Sequence, residues 1–384
     1  MTKSVYIVAV ESSADQVGAG LIKSIRKKSL AIKMHGVGGS FMESEGVTSK
    51  IDISGLAILG FVEAIKSYPR IIKSIKNTVN DILSINPDVV ILIDSWGFMI
   101  RVAKKLKQSG YKGKVVKYIA PQVWAMRKNR SKVLAKYIDH LLTIHDFESH
   151  YFEPYGLSVS YVGNPVFDSK YIIPEKDKVY RNFGFSSSDK VLAVFFGSRS
   201  SEINNLVKPF IETILKLKDS FPDLKVVSPV SRAVIKDIKQ AKDLDKRLEN
   251  IIFVEEKLKA SVFSISTAAL ACSGTVTTQL ALAGVPTVVA YRLNPITFII
   301  AKILYKPKYI SLVNISANEE LMPEFLQKEV NSNNLSKELK SYIQNNQLRS
   351  EASNKISRHI IKIKPKGKSV NNQASEIILN LMNI

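Results

Sequence analysis

Short apolar runs alternate along the chain with longer stretches in which apolar residues recur every three to four positions, the signature of strands alternating with amphipathic helices. In the first half the runs predict strands at Ser4–Val10, Lys33–Val37, Val89–Ile93, Lys114–Ile119, His140–Ile144 and Ser158–Val162, with a helix over Gln16–Lys27. A second helix carries Ile71, Ile72, Ile75 and Val79 on one face and Arg70, Lys73 and Lys76 elsewhere, a pattern that suits a core helix. In the second half strands are expected at 191–196, 224–228, 250–254 and 267–271, with helices near 201–219, 231–248, 256–264, Val276–Ala283 and Pro295–Leu304. Ser311–Ser316 and the Asn/Ser-rich Asn331–Ser336 read as loops. Two successive sets of strand–helix units predict an α/β protein of two doubly wound domains facing a cleft. The proline-containing, charged stretch Pro165–Lys178 is the boundary, giving residues 1–168 and 169–345, with a helical segment at 346–384 that packs back on the first domain or on a partner.

A chain of 384 residues is too long for one ordinary core and supports this division. The single cysteine, Cys272, rules out an internal disulfide and any multi-cysteine metal site, and suits a reducing compartment. His140, His145 and His150 recur every five residues across a strand and a loop, a spacing that cannot put them on one face as metal ligands. The apolar stretch Ile296–Tyr305 is interrupted by Lys302, and no stretch approaches the length of a spanning helix. Membrane contact is therefore expected to be peripheral. The 55 Lys and Arg against 34 Asp and Glu leave a net charge of +21, which favours anionic partners such as lipid headgroups and phosphorylated substrates. Nucleic acid is not expected: Trp124 lies among Arg127, Lys128, Arg130 and Lys132, but no second stacking residue falls within reach.

Candidate chemistry sits where strands end. Ser273, Gly274 and Thr275 follow a strand and open a helix, and Gly197, Ser198 and Arg199 repeat the arrangement upstream. Each turn reads either as an ordinary helix cap or as a phosphate cradle; together, with the guanidinium of Arg199, they could hold one diphosphate. Asp94 ends the apolar strand Val89–Ile93, at the edge where ligands of a parallel sheet sit, and reads as a general base or as the cap of the next helix. The apolar patch from Leu56 to Ile65, next to the basic residues of the following helix, could line an acyl-chain or membrane site.

The order of motifs resembles the lipid-A-disaccharide synthases, glycosyltransferases of the two-Rossmann-domain GT-B type. The resemblance runs through VESSADQVGAGLI at 10–22, GVGGSFMESEG at 36–46, LAILGFVEAI at 56–65, PDVVILIDS at 87–95 and PQVWAMR at 121–127. It continues through DFESHYFEPYG at 146–156, VGNPVFD at 162–168, FFGSRSSEI at 195–203, SGTVTTQLALAGVP at 273–286, YRLNPITF at 291–298, YISLVNI at 309–315 and ELMPEFLQ at 320–327. It implies inverting transfer of 2,3-diacylglucosamine from UDP-2,3-diacylglucosamine to 2,3-diacylglucosamine 1-phosphate, without metal or cofactor. An alternative is another UDP-sugar enzyme on the same fold, an epimerase or a transferase with a different acceptor. By position in the motifs, Asp94 and Glu11 correspond to catalytic acidic residues. Ser198, Arg199, Ser273, Gly274, Thr275, Gln279, Tyr291, Arg292 and Asn314 correspond to the UDP-sugar site. Leu56, Ile58, Leu59, Phe61, Val62, Arg70 and Lys73 would serve the acceptor and an anionic lipid surface. The resemblance further implies a cytoplasmic protein, peripheral on the inner face of the bacterial inner membrane, and a homodimer formed by exchange of carboxyl-terminal segments. Several positions depart from the family pattern. Val10, Ser12 and Ala14 alter the first loop, Asn164 replaces a histidine, Trp96-Gly97-Phe98 replaces Pro-Asp/Glu-Phe, and Val313 stands where proline is common. Gln279 replaces a glutamate that can accept from the ribose hydroxyls, a change worth about 1 kcal/mol of charge-assisted bonding.

Overall fold

The computed structural model describes residues 3–53, 61–168, 174–197, 200–230, 238, 249, 251–305, 307–365 and 367–383. They form two compact units, Met1–Ser169 with Pro365–Ile384, and Lys170–Lys364. The first unit runs β1 (Ser4–Val8), α1 (Ser12–Lys28), β2 (Lys33–Val37), α2 (Ser40–Ser44), α3 (Phe61–Ile85), β3 (Val89–Ile93), α4 (Trp96–Gln108), β4 (Lys114–Tyr118), α5 (Arg130–Tyr137), β5 (His140–Thr143) and β6 (Ser158–Tyr161). The second runs α6 (Lys176–Phe183), β7 (Val191–Phe195), α7 (Ser200–Ser220), β8 (Lys225–Val230), β9 (Ile252–Glu255), α8 (Lys259–Ile265), β10 (Ala268–Cys272), α9 (Thr275–Leu282), β11 (Thr287–Tyr291), α10 (Pro295–Leu304), α11 (Leu312–Ala317), β12 (Glu324–Leu326), α12 (Ser332–Gln344) and α13 (Asn346–Ile363). A last helix, α14 (Val370–Leu381), belongs to the first unit.

Each unit holds a six-stranded sheet, ordered β2-β1-β3-β4-β5-β6 and β12-β11-β10-β7-β8-β9, with every pairing parallel. Strands covered on both faces must be apolar throughout, and β1, β3, β7 and β10 are almost entirely Val, Ile, Leu and Ala. Each sheet is sandwiched between two apolar clusters. In the first unit Val8, Val90, Leu92 and Leu141 face Ile75, Val79 and Phe98, while Ile7, Ile91 and Val116 face Leu21, Ile25 and Ile378. Ile75 and Val79 are buried, as the helical periodicity of that stretch predicts, and Arg70, Lys73 and Lys76 are exposed.

The order of each sheet reverses once. In the first unit the chain winds from β1 to β2 on one side and then returns to place β3 on the other side of β1. In the second it winds from β7 through β8 to β9 and returns to place β10 on the other side of β7. At such a switch point the loops leaving the two central strands diverge and open a crevice beyond their carboxyl ends.

Two segments expected to be loops are helical. Asn331 is the N-cap of α12, its side chain accepting from the Asn334 N–H at 3.0 Å, and Ser311 caps α11 by accepting from the Asn314 N–H at 3.3 Å. Short polar residues suit a cap as well as a loop, so composition alone does not separate the two. The helix expected near 231–248 lies outside the described residues. The carboxyl-terminal segment divides at Pro365 instead of beginning as one piece at 346: α13 packs in the second unit, and only α14 joins the first unit of the same chain. Ser353 on α13 donates to the Gly284 carbonyl at 2.6 Å. Ser369 is the N-cap of α14, and Asp168 also holds its first turn, accepting from the N–H of Val370 at 2.8 Å and from that of Asn371.

Candidate active site

In the first unit the switch point lies between β1 and β3, and the two acidic residues singled out from sequence leave these strands. Glu11 is the residue before α1, three positions beyond Val8, and Asp94 directly follows β3; Val8 and Leu92 are paired in register. Asp94 does not cap the next helix: the N-cap position of α4 is Ser95, without a side-chain cap bond. Its backbone is instead left-handed, with φ of 52° at Asp94 and 37° at Ser95, and Ile119 at the end of β4 has φ of 70°. A β-branched residue in that region is a clear outlier, and each such residue costs about 1–2 kcal/mol. Neighbouring outliers on adjacent strand ends locate stored strain at this edge.

Two further ionisable groups join this edge. Lys117 is only 2 % exposed and donates to the carbonyls of Tyr118 at 3.0 Å and Ile119 at 2.8 Å. Desolvation lowers its pKa to about 8, opposed by the carboxylates of Asp94, Glu11 and Glu148. Glu148, in the short helix Asp146–Tyr151 after β5, is raised to about 7 by burial. It accepts from the N–H groups of Ile144 at 3.2 Å and His145 at 3.1 Å and from the Trp124 indole at 3.3 Å. Burial holds His145 down at about 4, and its ring stacks on Phe147 with centroids 5.2 Å apart. Trp124 meets Phe147 edge-on at 5.6 Å. Arg130 lies over the Trp96 ring at 4.9 Å, and burial with the nearby Arg127 lowers its pKa to about 10. Trp124 and Arg130, from the aromatic and basic stretch that the sequence reading set aside as a nucleic-acid surface, contact residues that follow β5 and β3. Neither Lys117 nor Glu148 stood out in the sequence; the available signal was a lysine between Val116 and Tyr118 at the buried end of a strand.

The second unit gathers its candidates in the same way. The turn Ser273, Gly274, Thr275 follows β10 at the β7/β10 switch, and Phe195 is paired in register with Ala271. Gly197 follows β7 with φ of 121°, and a Cβ there would come within 2.8 Å of the Glu202 side chain. Ser198 and Arg199 lie outside the described residues. Gly274 is different: its φ of 165° is ordinary extended backbone, and an added Cβ would meet nothing within 4 Å. Neither conformation nor packing demands glycine there, and the space above the exposed start of α9 is open to a ligand that must approach the backbone closely. Gln279 is buried one turn into α9, and Cys272 is buried under the turn.

Ser273 donates to the Ile310 carbonyl at 3.4 Å, which ties the turn to the loop before α11. There Glu324 accepts from the N–H groups of Ile310 at 2.7 Å and Ser311 at 2.8 Å and from the Asn314 amide at 2.8 Å. Asn314 is fully buried, also donating to the Met322 carbonyl at 2.7 Å and accepting from the N–H groups of Leu321 and Met322, both at 2.9 Å. Its amide is spent inside the fold, bracing α11 against β12. Arg292, after β11, donates to the carbonyls of Gln327 at 3.2 Å and Val330 at 2.7 Å, and Tyr291 beside it is half-buried. These residues brace the carboxyl edge from the β11–β12 side. Glu324 was quoted within a motif but given no role from sequence.

Of the acceptor-side residues, Leu56, Ile58 and Leu59 lie outside the described residues. Phe61 and Val62 begin α3, but their side chains are not among those described. Arg70 is exposed on α3 and pairs with Asp52 at 2.8 Å, and Lys73 is exposed one turn on. No described helix is long and apolar enough to cross a membrane.

The sequence model of the family described as lipid-A-disaccharide synthetase matches residues 5–378. The chain belongs to this family. It is 37 % identical over 326 residues to the lipid-A-disaccharide synthase of Paramagnetospirillum magneticum, covering 84 % of this chain and 83 % of that one. It is 34 % identical over 353 residues to that of Rickettsia prowazekii, covering 90 % of each. Among solved structures, the UDP-GlcNAc 2-epimerase of Neisseria meningitidis bound to UDP-GlcNAc aligns with a TM-score of 0.67, at 14 % identity over 99 % of each chain. A glycosyltransferase from Rickettsia africae aligns at 0.56 with 14 % identity, over 99 % of each chain. At these identities the structural likeness concerns the fold, which is that of the GT-B UDP-sugar enzymes. The family places the chain among the glycosyltransferases of lipid A synthesis.

Proposed function

We propose that this enzyme condenses UDP-2,3-diacylglucosamine with 2,3-diacylglucosamine 1-phosphate, giving lipid A disaccharide 1-phosphate and UDP with inversion at the anomeric carbon. The observation that carries the reading is the family match over residues 5–378, in a chain that keeps a carboxylate at each arm of its first switch point, Glu11 and Asp94. Asp94 takes the proton of the acceptor hydroxyl as its oxygen bonds to the anomeric carbon. The bond from that carbon to the diphosphate oxygen breaks, and UDP leaves with the electron pair. The developing charge on the diphosphate falls to the N–H groups and hydroxyls of Ser273, Gly274 and Thr275 at the start of α9, joined by Ser198 and Arg199. Gln279, Tyr291 and Arg292 complete the donor side, and Asn314 shapes it through Glu324. Glu11 serves as a second acidic group, as base partner or acceptor ligand.

The net charge of +21, with Arg70 and Lys73 exposed on α3, supports work at the anionic inner face of the bacterial inner membrane, where the acylated acceptor resides. Leu56, Ile58, Leu59, Phe61 and Val62 are assigned to the acyl chains.

Mass-spectrometric product analysis with the two substrates tests the reading. Wild type is expected to form a disaccharide phosphate plus UDP, and Asp94→Asn to lose at least a hundredfold in kcat while still binding UDP. Formation of an epimerised UDP-sugar with no disaccharide would move the enzyme to the other UDP-sugar chemistry of this fold.

A further inference from the structure

The start of α4 gathers three arginines. Arg101, one turn further along that helix, folds back and donates to the Gly97 carbonyl at 2.6 Å. Arg130, the first residue of α5, reaches across from the neighbouring helix and lies over the Trp96 ring at 4.9 Å. Arg127 stands one turn before it: the Arg130 N–H donates to the Arg127 carbonyl at 3.0 Å, and the Arg127 backbone is left-handed, with φ of 58°. Trp96 and Gly97 are consecutive, so two helices and the turn before α5 bring guanidinium groups to one spot.

Arginines that are drawn together and partly buried are ordinarily paired with carboxylates. Among the described residues none of these three forms an ion pair. Arg130 is half-buried, and its burial and the charge of Arg127 both weigh against its ionised form, with no carboxylate opposing them. A guanidinium laid on an indole keeps its N–H edges free for an oxyanion. Gly97 leaves room for one: it is exposed, and an added Cβ would meet nothing nearer than the Arg101 Nη1 at 3.5 Å.

Trp96 is two residues past Asp94, which puts their Cα atoms at most ~7.6 Å apart. An acceptor that carries its phosphate and its attacking hydroxyl on one sugar ring needs a phosphate site close to the base. We propose that Arg101, Arg127 and Arg130, around Trp96 and Gly97, form a phosphate-monoester site that holds the 1-phosphate of the acceptor and so presents its hydroxyl at Asp94. Guanidinium forks take phosphate oxygens in pairs, and the dianion of a monoester answers several of them better than the single charge of a phospholipid diester. The inference rests on the proposed reaction. It adds the residues by which the enzyme selects a phosphorylated acceptor over the same sugar lipid without phosphate.

The probe is glucosamine 1-phosphate, a soluble fragment of that acceptor, followed by its phosphorus NMR shift on titration with the full chain, with UDP present to occupy the donor side. Wild type is expected to bind it saturably, and Arg130→Met and Arg101→Met to weaken it at least tenfold. Gly97→Glu sets a carboxylate beside Arg101 at a position with room for a side chain. It should weaken the probe at least tenfold more than Gly97→Gln, which has the same size and no charge. With the acylated substrates, Arg130→Met should lower kcat/KM at least tenfold for 2,3-diacylglucosamine 1-phosphate and less than threefold for 2,3-diacylglucosamine. Sedimentation with phosphatidylglycerol vesicles, which present a phosphate diester, should stay within twofold of wild type. Absence of saturable binding by wild type, probe binding that the variants leave unchanged, or equal losses on the two acceptors overturns the proposal. So does a loss of vesicle binding with the probe titration unmoved, which would give the arginines to lipid headgroups. Should wild type bind the probe, with the variants weakening it, yet form no disaccharide, the proposed reaction falls and the phosphate site stands. Disaccharide formed at the wild-type rate by all the arginine variants leaves the reaction and removes the site.

Discussion

Asn314 and Gly274 both stand in the donor-side motifs, yet the fold uses them in opposite ways. Asn314 makes four side-chain hydrogen bonds in a fully buried position. Truncating it leaves the N–H groups of Leu321 and Met322 without their acceptor, so Asn314→Ala is expected to cost about 3 kcal/mol or more in urea unfolding. Loss of activity there would accompany loss of stability. Gly274 shows the reverse, since a methyl group added to it meets open space. Gly274→Ala should leave unfolding within about 1 kcal/mol of wild type, the range for Ala and Gly at an N-cap, while raising the KM for the donor at least tenfold. Unchanged donor kinetics would mean that no ligand approaches this turn closely. Sequence placed both residues in donor-side motifs, Gly274 at a strand end and Asn314 in an expected loop, but could not separate their roles, because burial and hydrogen-bond saturation are properties of the assembled neighbourhood.

The short helix after β5 and its N-cap carry two groups, Glu148 and His145, whose titrations oppose each other. Burial raises Glu148 from 4.5 to about 7, so between those values the folded chain holds a proton that the unfolded chain has released, and stability falls as pH rises. Burial lowers His145 from 6.5 to about 4, so between those values the unfolded chain holds the extra proton, and stability falls as pH falls. The two slopes cancel between about pH 4.5 and 6.5. Lys117, at about 8, is protonated in both states throughout that window and adds no slope. Glu148→Gln is therefore expected to leave the His145 slope unmasked, losing roughly 1 kcal/mol of stability relative to wild type per unit as pH falls from 6.5 to 4.5. His145→Phe, which keeps an aromatic ring beside Phe147, should show the opposite trend. Urea unfolding at half-unit pH steps measures both; parallel curves for wild type and either variant would refute the assignment. The periodicity of the chain located β4 and β5 closely but said nothing of this helix, whose polar residues read as an ordinary loop.

At the scale of the molecule, the return of α14 to the first unit is secured by an apolar seam with polar contacts around it. Val370, Ile378 and Leu379 join the cluster of Leu21, Ile22 and Ile25 on α1, while Lys28 pairs with Glu376 at 2.7 Å and Ser24 donates to Asn372 at 2.8 Å. Gly163 has φ of 89° and lies where a Cβ would come within 2.5 Å of Pro365, so the chain can pass there only with glycine. Asp168→Ala removes the acceptor of the first two N–H groups of α14 while the Ser369 N-cap stays, and should cost about 1 kcal/mol, seen as faster amide exchange confined to α14 and its contact on α1. Uniform exchange across the first sheet would show instead that α14 unfolds only with the whole unit.

Strand–helix alternation, two doubly wound units and the candidate turns were determined by the sequence alone, because fully buried parallel strands must be apolar and the turns that follow them must be small or polar. The family motifs carried the expectation further, to Asp94, Glu11 and the Ser273–Thr275 turn. Which strands lie side by side was decided only in three dimensions, and that adjacency makes the β1/β3 and β7/β10 ends the switch points. Tertiary structure alone also decided that Asp94 would be strained instead of capping a helix, that Asn314 would be spent within the fold, and that α13 and α14 would part at Pro365. The buried cluster of Lys117 and Glu148 belongs to the same class. A lysine is read from sequence as solvated, and only the packing of β4 between β3 and β5 turns it into a buried charge, met by the carbonyls of Tyr118 and Ile119.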